Sequence, residues 1–151
     1  MTSSTTSATG VPTQLGHIAL RVRDLNGAVE FYRDVVGLTL RSRHADSVAF
    51  LGAREDASHE VALFALPPDA PGPESNRVGM YHMAWEMASF EDLQAFHARL
   101  LSHHANITGY SERQCNVMFT DPDGNELEAL WEPSAEEEAR LKAGSGLPRL
   151  R

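Results

Sequence analysis

His17, His82 and Glu128 are the residue types that ligate first-row transition metals. Two neutral imidazoles and one carboxylate suit Fe(II) or Mn(II). Three protein donors of this kind, a facial triad, leave metal positions open for other ligands. The two histidines are related by a repeat. "GHIALRVRDLNGAVEFYRDVV" (Gly16 to Val36) and "YHMAWEMASFEDLQAFHARLL" (Tyr81 to Leu101) align at a constant offset of 65, which places His17 on His82 and Ala19 on Ala84. The carboxylate comes from "PDGNELEALWE", where Glu128 follows a dense turn signal and is flanked by apolar residues in a strand-like run.

These residues must be positioned by the elements that carry them. Asp24 and Ser89 occupy matching N-cap positions before matching apolar stripes. Ala28, Phe31, Tyr32, Val35 and Val36 fall on Leu93, Phe96, His97, Leu100 and Leu101, the pattern of a helix packed on a sheet. Each half reads as a strand, a helix and three further strands. The first half predicts strands near 15–22, 38–43, 47–53 and 59–66 with a helix over 25–36 that stops at Gly37. The second predicts strands near 80–87, 106–112, 115–120 and 126–131 with a helix over 90–103. Two βαβββ modules, 15–66 and 80–132, thus form an α+β domain over 15–132, joined by a Pro/Gly-rich linker at 67–79. The expected architecture is a curved eight-stranded mixed sheet around a metal cavity, with the helices on the convex face. Strand alternation sends His17, His82 and Glu128 to the concave face. The same alternation, counted from Leu63 as the repeat equivalent of Glu128, sends Val61 and His59 there too. Residues 1–14 read as a Ser/Thr-rich disordered tail. Residues 133–151 read as a second tail, with a short helix opened by a Ser134/Glu137 capping box.

Composition narrows the function classes. The chain has 151 residues and a net charge of −8, which disfavours nucleic acid and anionic membranes as partners. No apolar run approaches the length of a membrane span, and the N-terminus has no signal-peptide pattern. A single cysteine, Cys115, excludes an intrachain disulfide and points to the cytoplasm.

On "GHIALRVRDLNGAVEFYRDVVGL" and "DPDGNELE" the chain resembles the vicinal oxygen chelate superfamily. That family includes glyoxalase I, type I extradiol dioxygenases, fosfomycin-resistance enzymes and bleomycin-resistance proteins. The resemblance implies that His17, His82 and Glu128 are the metal ligands. "SHEVALFAL" (Ser58 to Leu66) resembles an extradiol dioxygenase segment whose histidine is an acid–base group, and this carries over to His59. An imidazole with a pKa near 6.5 can take a catechol proton and return it later. Met118 stands where those dioxygenases have a tyrosine, and Tyr110 is the candidate to supply a hydroxyl instead. Leu63 and Phe64, near the place of a fourth ligand in glyoxalase I, cannot coordinate. The resemblance therefore implies Fe(II), with Mn(II) or another divalent metal as substitutes. It implies a small aromatic substrate with O2, and a homodimer. The alternatives are a glyoxalase, epimerase or fosfomycin-resistance-type lyase, isomerase or transferase, and a metal-free drug-binding protein. For the fosfomycin type, only Arg113 and Ser111 are available to grip a phosphonate.

Overall fold

The computed structural model describes residues 9–111, 115–144 and 146–150. The first eight residues of the expected tail, and Arg113, lie outside that range.

The first module runs β1 (Ile18–Val22), α1 (Leu25–Glu30), β2 (Thr39–His44), β3 (Val48–Gly52) and β4 (Val61–Ala65). The second runs β5 (His82–Glu86), α2 (Phe90–Ser102), β6 (Asn106–Gly109), β7 (Asn116–Thr120) and β8 (Glu126–Leu130), and α3 (Ala135–Ala143) follows. Both caps form as read. Asp24 accepts from the Gly27 N–H and Ser89 from the Asp92 N–H. Ser134 and Glu137 form the reciprocal capping box of α3.

One helix departs from the expectation. After Glu30 it widens into a π-helical turn, Phe31–Val36, and closes on Gly37 at φ 94°. That left-handed conformation suits glycine. The last carbonyls of a helix lack partners of their own. Here Arg99 of α2 supplies them, with Nε 2.8 Å from the Val35 oxygen and Nη2 3.2 Å from that of Val36.

The eight strands form two four-stranded mixed sheets, β1-β4-β3-β2 and β5-β8-β7-β6. The expected α+β fold of two βαβββ modules is present, and among the described residues no strand pairing joins its two sheets. Side chains bind the halves instead, in one contiguous core. Phe119 of β7 packs on both Phe96 of α2 and Phe31 of the first module. Tyr32, fully buried, donates its hydroxyl to Asp121 at 2.9 Å. Arg23 Nε reaches Asp123 Oδ1 at 2.7 Å. The "DPDGN" turn is thus a clamp between modules. Asp121 also accepts from Asp123 N, Asn125 N and Asn125 Nδ2, and Gly124 takes φ 89°.

In both sheets one face packs under the helices and the other is open. Leu20, Val22, Leu51 and Leu63 face the helices, as do Met83, Val117, Leu127 and Ala129. Ala19, Arg21 and Phe64 take the open face of the first module. This corrects the alternation in β4. Leu63 is fully buried in the core, and the open face there belongs to Ala62 and Phe64.

Candidate metal centre

The parallel pairing of β5 and β8 sets His82 opposite Glu126 and Ala84 opposite Glu128. His82 and Glu128 are therefore diagonal neighbours on one face, close enough for long side chains to meet. His82 Nε2 lies 3.2 Å from Glu128 Oε2. A carboxylate oxygen only accepts, so without an ion a ring nitrogen facing it would carry a hydrogen, and an ion bound at Nε2 would leave the ring proton on Nδ1. Its Nδ1 is buried and has no partner among the described residues. Nitrogen and oxygen donors bind a divalent ion at about 2.0–2.2 Å, which places adjacent ligands of one ion about 3 Å apart. The pair fits that spacing.

On the other side of Glu128 stands a residue that the sequence reading missed. Asn116 Nδ2 donates to Glu128 Oε1, and Asn116 Oδ1 accepts from the Ser111 N–H at 2.6 Å. Asn116 opens β7 opposite Leu130. The alternation that found Glu128 would have found it, because Met118, two residues on, faces Glu128 directly.

His17 and His59 meet in the first module, with ring centroids 4.6 Å apart. Both lie just outside the strands predicted to hold them, His17 before β1 and His59 before β4. Their contact follows from the parallel pairing that sets Ile18 opposite Val61. One step earlier, the Ile18 N–H donates to the Glu60 oxygen at 2.9 Å, which brings the residues on either side together. His59 reaches His17 by this bend and not by the alternation counted from Leu63. Its ring also packs on Phe50 at 4.9 Å, and its Nδ1 is 3.0 Å from the Ser58 hydroxyl.

The two groups remain separate. Among the described residues no three His, Cys, Asp or Glu side chains converge tightly enough to hold a metal ion. His17 is exposed at the edge of the first sheet. A cavity of about 140 Å³ runs from His17 to Met83, Ala84 and Trp85, on the strand that begins with His82. Tyr110 is not brought to this face. Its hydroxyl is 2.9 Å from His97 Nε2 on α2, on the helix side of the sheet. The bulge between Ile107 and Gly109 leaves Gly109 opposite Met118 on the open face, so the next side chain turns away. Burial holds the His97 pKa below its usual value.

The first-module position that corresponds to Glu128 belongs to a different residue from Leu63. The pairing of Ala84 with Glu128 corresponds to that of Ala19 with Ala62 in the first module. Ala62 has no donor atom to offer.

Fold and sequence together define one family. The chain belongs to the Glyoxalase/Bleomycin resistance protein/Dioxygenase superfamily, whose model matches residues 14–129. It is 31% identical over 139 residues to the manganese-dependent 2,3-dihydroxybiphenyl 1,2-dioxygenase of Geobacillus genomosp. 3, covering 85% of this chain and 41% of that one. It is 31% identical over 120 residues to the glutathione transferase FosA of Serratia marcescens, covering 76% of this chain and 77% of that one. A glyoxalase/dioxygenase crystal structure from Nostoc punctiforme superposes with a TM-score of 0.70 at 24% identity, over 88% of this chain and all of that one. The chain spans less than half the length of the dioxygenases it matches.

Proposed function

We propose that this protein is a metal-dependent enzyme that opens the ring of a catechol or hydroquinone-like aromatic with dioxygen. The 3.2 Å approach of His82 Nε2 to Glu128 Oε2 carries this reading. His82 and Glu128 would give an ion two of its donors, and His17 would give the third from across the seam between the sheets. With Ala62 in place of a fourth donor, an Fe(II) or Mn(II) ion held there would offer open positions to both substrate oxygens and to dioxygen. His59 stands beside His17 with its Nδ1 against the Ser58 hydroxyl, and in the tautomer whose Nδ1–H donates there Nε2 is free to take a proton from a substrate hydroxyl. Returning that proton as the ring opens completes an acid–base cycle. Met118 and Leu130 offer apolar contact to the ring on the Glu128 face. Exposed Leu15, Phe64, Val78, Met80 and Tyr81 favour a homodimer that covers them.

The test is anaerobic loading with Fe(II), then a panel of catechols and hydroquinones under oxygen. One O2 consumed per substrate, with a coloured ring-opened product, is the expected result. No oxygen uptake across the panel would overturn ring cleavage.

A second reading keeps the metal and changes the reaction. Met118 in place of the dioxygenase tyrosine, together with the match to 77% of FosA, favours a transferase acting on an electrophile that chelates the ion. Metal-dependent consumption of a thiol without oxygen uptake would select it.

A further inference from the structure

We infer that Asn116 is a positioning residue that makes Glu128 a one-oxygen ligand. The inference rests on the metal site proposed above. Asn116 is 9% exposed, and both ends of its amide are engaged. The Ser111 N–H at 2.6 Å can only donate, so it must meet the amide oxygen. That settles which end faces Glu128. The Asn116 NH2 group is aimed at the carboxylate and holds Oε1. Oε2 is then the oxygen presented to His82 Nε2. Glu128 is thus gripped from β7 on one side and met from β5 on the other, with its rotamer set before any ion arrives.

Two consequences follow. A free glutamate loses rotamer freedom when it binds an ion, and here the protein has already borne part of that cost. The hydrogen bond on Oε1 also disfavours a swing that would bring both oxygens to one ion. Hydrogen-bond partners of metal ligands characteristically act in this way, and losing one typically weakens binding about 10- to 100-fold. A purely structural Asn116 would behave differently. Its loss would lower stability and leave metal affinity relative to folding unchanged.

Mn2+ titration of the full chain, followed by electron paramagnetic resonance, separates these cases. The proteins are wild type, Glu128→Ala, Asn116→Ala and Asn116→Leu. The leucine variant keeps the side-chain volume in case alanine does not fold. The melting temperature of each metal-free protein is measured alongside. Wild type should bind about one Mn2+ per chain, and Glu128→Ala should lose it. Both Asn116 variants should show Kd raised about 10- to 100-fold while their metal-free forms remain folded. The visible absorption of the Co2+ forms should also change as Glu128 shifts toward two-oxygen binding. Unchanged Mn2+ affinity and Co2+ spectrum in Asn116→Leu would overturn the positioning role alone. No Mn2+ binding by wild type, or binding that survives Glu128→Ala, would overturn the metal site and this inference with it.

Discussion

His82 and Glu128 meet at 3.2 Å because β5 and β8 run parallel with a two-residue diagonal between the side chains. The contact follows from strand register, which predicts that the second sheet folds without an ion. Metal addition should therefore stabilise an already folded protein. Ligand at 100 times its Kd stabilises by about 2.7 kcal/mol. For a domain of this size that is about 5–10 °C in Tm. Scanning calorimetry with and without Mn2+ checks this. Glu128→Ala and His82→Ala should each abolish the shift. A metal-free wild type with no cooperative transition would contradict the expectation.

For His17, the third proposed ligand, the question is which chain of a dimer would supply it to the His82–Glu128 pair. The cavity joining it to Ala84 favours completion within one chain. Mixing unfolded His17→Ala and Glu128→Ala chains, then refolding them together, should then restore no metal binding. Every chain would still lack one ligand. Recovery of about one site per mixed dimer would instead place His17 opposite the His82–Glu128 pair of a second copy.

His59 should act on turnover and not on binding. Its ring packs against His17 and Phe50, and it contributes no donor to the proposed ligand set. His59→Phe should keep Mn2+ affinity within a few-fold and cut turnover by about 10²- to 10⁴-fold, the usual range for a lost acid–base group. Steady-state rates beside metal titration decide it. Normal turnover would remove His59 from the mechanism. Tyr110 does not replace it, because its hydroxyl is occupied by His97.

The modules, caps and most strands were legible because their signals are periodic and local. Leu20 and Val22 against Ala19 and Arg21 show the period of two, and Ser89 with Leu93, Phe96, His97 and Leu100 shows the helical period. The site was less legible where it depends on register. His17 and His59 sit one or two residues outside their strands, so alternation does not govern their direction. The repeat offset matched Glu128 to Leu63, while strand pairing matches it to Ala62. Asn116 lies on the Glu128 face by alternation, but an asparagine at a strand start shows no role until the half-buried carboxylate beside it is known. How the two sheets meet is likewise a tertiary outcome. The edges of the two modules are drawn together by Tyr32, Arg23 and Arg99, and these contacts span long sequence separations.

Tyr32 is the strongest of those contacts to test. Its ring is fully buried and its hydroxyl donates to Asp121, the hub of the "DPDGN" turn that leads into the Glu128 strand. Tyr32→Phe leaves the volume intact and removes one hydrogen bond to a buried carboxylate. The expected loss is about 1–3 kcal/mol, since the carboxylate keeps its other donors. Urea denaturation at neutral pH measures it. The pH dependence gives a second check. Burial first, and the Asp121 charge next, hold the Tyr32 pKa well above its usual value of 10.0. Above pH 10 the unfolded chain therefore loses its tyrosine proton while the folded chain keeps it. The Tyr32 contribution is fully present below that pH and is lost as pH rises toward the folded value. The stability gap between wild type and Tyr32→Phe should be constant from pH 7 to about pH 9.5 and narrow above it. A gap that widened in alkali would mean that the hydroxyl ionises easily in place, and the clamp between the modules would need another explanation.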